Sequence, residues 1–160
     1  MIRFAPRVHL TAVTLFLADQ ASKWLALSRL ADSVTTPLIP SVFHLTLVHN
    51  TGAAFGMFHG GNLVLGLVAA LVAGALTIWH ASITQAHPGR EWAVGLILGG
   101  ALGNLVDRVF RSGVVDFLDF RVWPVFNVAD SAICVGAGWM MLTWRARPPE
   151  GGSRRVAGPA

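Results

Sequence analysis

The stretch FNVADSAICVGAG, residues 126–138, decides the fold. From Ala132 onward it reads as the interior of a membrane helix, apolar and rich in small residues. Its opening turn nevertheless carries Asn127 and Asp130. A charge at membrane depth costs on the order of 3 kcal/mol on insertion scales. A carboxylate at the head of such a segment therefore needs a partner or a purpose.

The rest of the chain agrees with a membrane setting. Of 160 residues, 54% are hydrophobic and only 12% are charged, and the mean hydropathy is +0.59. A soluble domain of this size covers its surface with about twice that charge. A hydrocarbon core about 30 Å thick needs about 20 apolar residues per helix. Four stretches reach that length, at residues 8–27, 62–82, 92–110 and 125–144. The expected fold is an all-α membrane protein, a four-transmembrane-helix bundle with a small extracytoplasmic β-sheet between helices one and two. It forms one domain over residues 1–146, with the sheet at about 30–60. Residues 147–160, RPPEGGSRRVAGPA, are expected to be a disordered cytoplasmic tail. The first stretch is read as a retained span rather than a cleaved signal: it is long, carries Asp19 and Lys23, and is followed by no small-x-small site. The lone cysteine, Cys134, excludes an intrachain disulfide.

Charge placement sets orientation. The net charge of +4 suggests nucleic acid at first sight, but seven of the eleven arginines, Arg3, Arg7, Arg90, Arg145, Arg147, Arg154 and Arg155, lie before span one, between spans two and three or after span four. With four spans, all of these fall on one side, and Arg and Lys mark the cytoplasmic side. No nucleic-acid partner is expected. Both termini are expected in the cytoplasm, with residues 28–61 and 111–124 facing outward. Trp24, Trp79, Trp92, Trp123 and Trp144 lie near the span ends, where indole prefers the headgroup level. Gly95, Gly99 and Gly103, and likewise Gly66, Ala70 and Gly74, recur every fourth residue and permit close helix approach. In the first outer connection, VFHLTLVHN alternates apolar and polar residues as a half-buried strand does. RSGVVDFLDFRVWP, in the second, is expected to be an amphipathic segment at the interface.

The polar residues converge on one depth. Asp19 and Lys23 are spaced i,i+4 in the outward half of span one. Asn104, Asp107 and Arg108 share a face at the outer end of span three, and Asn127 and Asp130 open span four. Asp116 lies in the second outer segment, and Asn50 ends the expected strand. A single polar site at the outer water–lipid boundary accounts for all of them. Structural ion pairs and headgroup contacts account for some of them equally well. The six histidines show no metal-ligand spacing. Ser22 and Lys23 are adjacent, so they do not face each other on a helix as a Ser/Lys hydrolase requires.

In DQASKWL at 19–25, HNTGAAFGMF at 49–58, GGALGNLVDRVFRSGVVDF at 99–117 and FNVADSAICVG at 126–136, the chain resembles the bacterial lipoprotein signal peptidase (signal peptidase II) family. The resemblance implies an intramembrane aspartic endopeptidase of the bacterial cytoplasmic (inner) membrane. Such an enzyme cleaves diacylglyceryl-modified prolipoproteins just before the lipidated cysteine, as a monomer among membrane lipids, with no metal or other cofactor. It implies Asp116 and Asp130 as the catalytic pair. Asp19, Lys23, Asn50, Gly52, Asn104, Asp107, Arg108 and Asn127 become substrate-binding or site-supporting residues. Asn127 is expected to orient a carboxylate, and Arg108 or Asn50 to hold the substrate backbone. The NTGAAFG stretch is expected to clamp the peptide from above. Asp119 is a second acid in the segment of Asp116, and Val114, Val115 and Phe117 match the motif around Asp116. The alternatives from the residues themselves are a small membrane transport or proton-relay subunit and a non-catalytic scaffold. A relay predicts polar residues strung across the membrane, and this chain has none near the inner leaflet.

Overall fold

A computed structural model describes residues 6–32, 34–52, 62–82 and 88–145. The tail, Arg3 and most of NTGAAFG lie outside the described residues. Helix α1 (Pro6–Arg29) leads into a hairpin of β1 (Thr35–Ile39) and β2 (Phe43–Asn50). Helices α2 (Asn62–Ser82) and α3 (Pro88–Phe110) follow, then β3 (Val114–Asp119) and α4 (Val128–Arg145). Proline opens α1 and α3, where its fixed φ and missing N–H suit the first helical turn.

Helix α3 is the centre of the bundle and touches the other three helices. Its glycines make this possible. A methyl group at Gly99 would stand 2.6 Å from the carbonyl oxygen of Ala12 on α1. One at Gly100 would stand 2.6 Å from that of Ala129 on α4. The expected stripe on α2 is not a continuous contact: Gly66 meets Leu105 and Arg108, but Gly74 has open space beside it.

The sheet has three antiparallel strands in the order β1-β2-β3. Strand β2 lies where the alternating pattern put it, whereas its partner β1 carries no such alternation. The third strand corrects the sequence reading, which took RSGVVDFLDFRVWP for an amphipathic interfacial segment. Val114, Val115, Asp116 and Phe117 are all buried, and a strand covered on both faces shows no period-two alternation. Helix α4 also starts later than the expected span, at Val128 rather than residue 125. Phe126 stays extended because it exchanges two backbone hydrogen bonds with Leu118, at 2.8 and 3.0 Å.

The distribution of polarity is reversed relative to a soluble domain. Among the described residues, five of the eight largest fully buried side chains are Lys23, Asn127, Asp19, Asp107 and Asp116. Leu71, Ile78 and Leu142 are each more than 70% exposed. Apolar groups outside and charges inside suit lipid as the surrounding solvent. Among the described residues, α3 alone is long and apolar enough to cross a bilayer by its composition. Helices α2 and α4 hold shorter apolar runs, Gly66–Trp79 and Val128–Thr143. In α1, Asp19 and Lys23 interrupt the apolar run.

Candidate active site

The C-terminal end of α3, the strands β2 and β3 and the start of α4 enclose a cavity of about 220 Å³. Asp116 and Asp130 both line it, together with Asn50, Gly52, Asn104 and Arg108. Trp123, Pro124, Val125 and Phe126 form its apolar wall. Phe120 supports that wall, lying 4.8 Å from Phe43 and 5.8 Å from Phe126 between ring centroids.

Each acid is held by local structure. Asn127 caps α4: its Oδ1 accepts from the Asp130 N–H at 2.9 Å, and the Asp130 carboxylate accepts from the Asn127 N–H at 3.3 Å. This reciprocal pair fixes Asp130 in the first turn, where the helix dipole favours negative charge. Asp116 lies on β3, two residues along from Val114, the register partner of Asn50 on β2. Side chains so related share a face of the sheet. Asn50 Nδ2 accordingly donates to Asp116 Oδ2 at 3.0 Å.

Three asparagines orient the pair. The Asn50 oxygen accepts from the Gly52 N–H at 3.0 Å, which turns its amide nitrogen toward Asp116. The Asn127 oxygen is occupied by its cap bond, and its Nδ2 donates to Asp116 Oδ1 at 2.7 Å. Asn104 accepts from Lys23 Nζ at 2.9 Å and donates to Asp130 Oδ1 at 2.8 Å. Asn127 therefore touches both acids, one through its side chain and one through its cap.

Burial pushes the Asp116 carboxyl up to about 7, and the neighbouring Asp130 charge adds to the rise. The amides of Asn50 and Asn127 and the more distant Lys23 oppose it without cancelling it. Asp119 behaves differently. Burial raises its carboxyl, but bonds from the Thr46 hydroxyl, the Arg121 N–H and the Arg121 guanidinium outweigh this and hold it below the ordinary value. Its oxygens are taken up by Thr46 on β2 and by Arg121 in the turn after β3, and it does not line the cavity.

A second polar layer lies beneath. Lys23, fully buried, stands 2.8 Å from Asp19 and 2.7 Å from Asp107, both also fully buried. Here the sequence reading needs correction. Asn104, Asp107 and Arg108 do not act on one face together: Arg108 lines the cavity, whereas the Asp107 carboxylate turns to α1 and Arg111. Asp19, Lys23 and Asp107 do not line the cavity. Two residues of this layer went unnoticed in the sequence. Gln20 Nε2 donates to Asp19 and Asp107, and its oxygen accepts from Arg111 at 2.9 Å. Arg111 also pairs with Asp107. The spacing of Arg111, four after Asp107, was the available signal. The apolar wall at residues 123–126 carried none.

A pair of carboxyls, one keeping its proton near neutrality, held by amides in a partly enclosed cavity, is equipped for acid–base hydrolysis of an amide. Known proteins are similar to this chain over most of its length. A family model described as signal peptidase (SPase) II matches residues 11–145. The lipoprotein signal peptidase of Halothermothrix orenii is 42% identical over 135 residues, covering 84% of this chain and 92% of that protein. That of Moorella thermoacetica is 42% identical over 142 residues, covering 89% and 93%. A solved bacterial membrane enzyme, 27% identical, superposes with a TM-score of 0.84 over 96% of both chains. The matched residues include nearly all of α1 and the whole of α3, β3 and α4, the elements that carry both acids and the layer beneath them, and the chain belongs to the signal peptidase II family.

Proposed function

We propose that this chain is an aspartic endopeptidase with Asp116 and Asp130 as its acid pair. As a member of its family it is a bacterial membrane protease that removes signal peptides from prolipoproteins. A transport or proton-relay role has no support among these relatives. The aspartic chemistry is inferred from one juxtaposition. Two carboxyls from separate segments face a common cavity, and the charge of one raises the pKa of the other.

In the proposed reaction Asp116 holds the shared proton, and Asp130, at the positive end of α4, carries the charge. Asp130 takes a proton from water as that water attacks the scissile carbonyl. Asp116 donates to the carbonyl oxygen or the departing amide. Arg108 and Asn50, at the cavity rim, hold the substrate backbone. The cut falls before a diacylglyceryl-bearing cysteine. Its acyl chains stay in lipid, so the acids work just under the outer headgroups. The proposal extends to four spans with both termini cytoplasmic, the sheet on the extracytoplasmic face, a single domain at 1–146, and a monomer among lipids.

The deciding experiment is cleavage of a diacylglyceryl-modified prolipoprotein by purified protein. Asp116→Asn and Asp130→Asn are each expected to lose about a hundredfold or more in rate while still inserting and folding. Retained activity in either variant removes that residue from the pair.

A further inference from the structure

Each acid of the pair follows a residue whose backbone N–H is gripped by a buried carboxylate. Asp107 Oδ2 accepts from the N–H of Val115, immediately before Asp116, at 3.2 Å. Asp19 Oδ1 accepts from the N–H of Ala129, immediately before Asp130, at 2.9 Å. One ammonium joins the two grips, because Lys23 Nζ stands 2.8 Å from Asp19 and 2.7 Å from Asp107. We infer that Asp19, Lys23 and Asp107 form a buried clamp that sets the separation of Asp116 and Asp130.

The chemistry favours this over a plain ion pair. Replacing a buried ion pair by apolar residues is often neutral or stabilising, so stability alone is a weak reason for three fully buried charges. Their bonds instead link helix α1 to the strand carrying one acid and to the helix carrying the other. Gly103 makes room for the clamp, since a methyl group there would collide with the Asp19 carboxylate. Gln20 braces both carboxylates, and Arg111 balances the second negative charge. Lys23 also donates to Asn104, whose amide nitrogen reaches Asp130. The clamp residues are positioning residues: none of them lines the cavity. Acid–base catalysis is steeply sensitive to such placement, and a misplacement of about 1 Å costs about a hundredfold in rate.

The inference rests on the acid-pair proposal, and its test separates the two. The full chain is assayed on diacylglyceryl-modified prolipoprotein beside Asp116→Asn. The paired variants Asp19→Asn/Lys23→Met and Asp107→Asn/Lys23→Met each remove one charge of each sign, so no new net charge is buried. Both are expected to lose about tenfold or more in kcat with KM within about threefold of the parent, at equal folded fraction. A folded paired variant with parental kcat, or a loss confined to KM, overturns the clamp. If the paired variants do not fold, Gly103→Ala decides. Its methyl meets the Asp19 carboxylate first, and the same drop in kcat supports the clamp while parental kcat overturns it. An active Asp116→Asn sinks the acid-pair proposal instead.

Discussion

At the scale of single residues, Asp116 and Asp119 contrast most sharply. They are three positions apart on one strand, yet one carboxyl rises to about 7 and the other is held down. Neighbours decide this: Asp116 meets burial and a second acid, whereas Asp119 meets a hydroxyl, an N–H and a guanidinium. Asp119→Asn is accordingly expected to keep cleavage within about threefold of the parent, as a group outside the reacting pair does. A dead variant places the second acid at 119 instead. A carboxyl titrating near 7 is protonated below that pH and ionised above it. If Asp116 is the proton donor, kcat/KM falls as pH rises through about 7. A profile flat from about pH 6 to about pH 9 denies it that role.

Among elements, α3 sets the spacing of everything else. Its glycines let α1 and α4 approach to backbone contact, and that contact brings Lys23 to Asp107 and Asn104. Gly99→Ala pushes a methyl against the Ala12 carbonyl. It is expected to destabilise the protein by about 1–3 kcal/mol, read as a lower thermal midpoint in detergent. Gly74→Ala, with open space at its Cβ, is expected to be neutral or to gain up to about 1 kcal/mol from helix propensity. Equal midpoints for the two variants would show that close packing at Gly99 is immaterial. At the start of α4, Asn127→Ala removes both the helix cap and a donor to Asp116. A cap is worth about 0.5–2 kcal/mol, so this variant is expected to lose stability and rate together.

For the molecule as a whole, the apolar exterior and charged interior are one feature seen from two sides. The exposed Leu71, Ile78 and Leu142 suit a lipid surrounding, and the bundle interior encloses Asp19, Lys23 and Asp107. The proposed topology is tested by a reporter fused after Arg145, which is expected to read cytoplasmic; an external signal inverts the assignment and moves the acids to the wrong leaflet.

The amino-acid sequence by itself determined the helical segments, strand β2 and the polar residues that line the cavity. Apolar run length, alternation and ordered motifs are local, and each survives in a one-dimensional string. Only the tertiary structure decided which polar residue faces which. Asp107 and Arg108 are neighbours in the chain, yet one turns to α1 and the other to the cavity. β3 was hidden because burial on both faces erased its alternation. The joining of Asp19 to Ala129, Asp107 to Val115 and both to Lys23 spans four elements, and such long-range bonds leave no periodic trace along the chain because packing, not local backbone preference, brings their partners together.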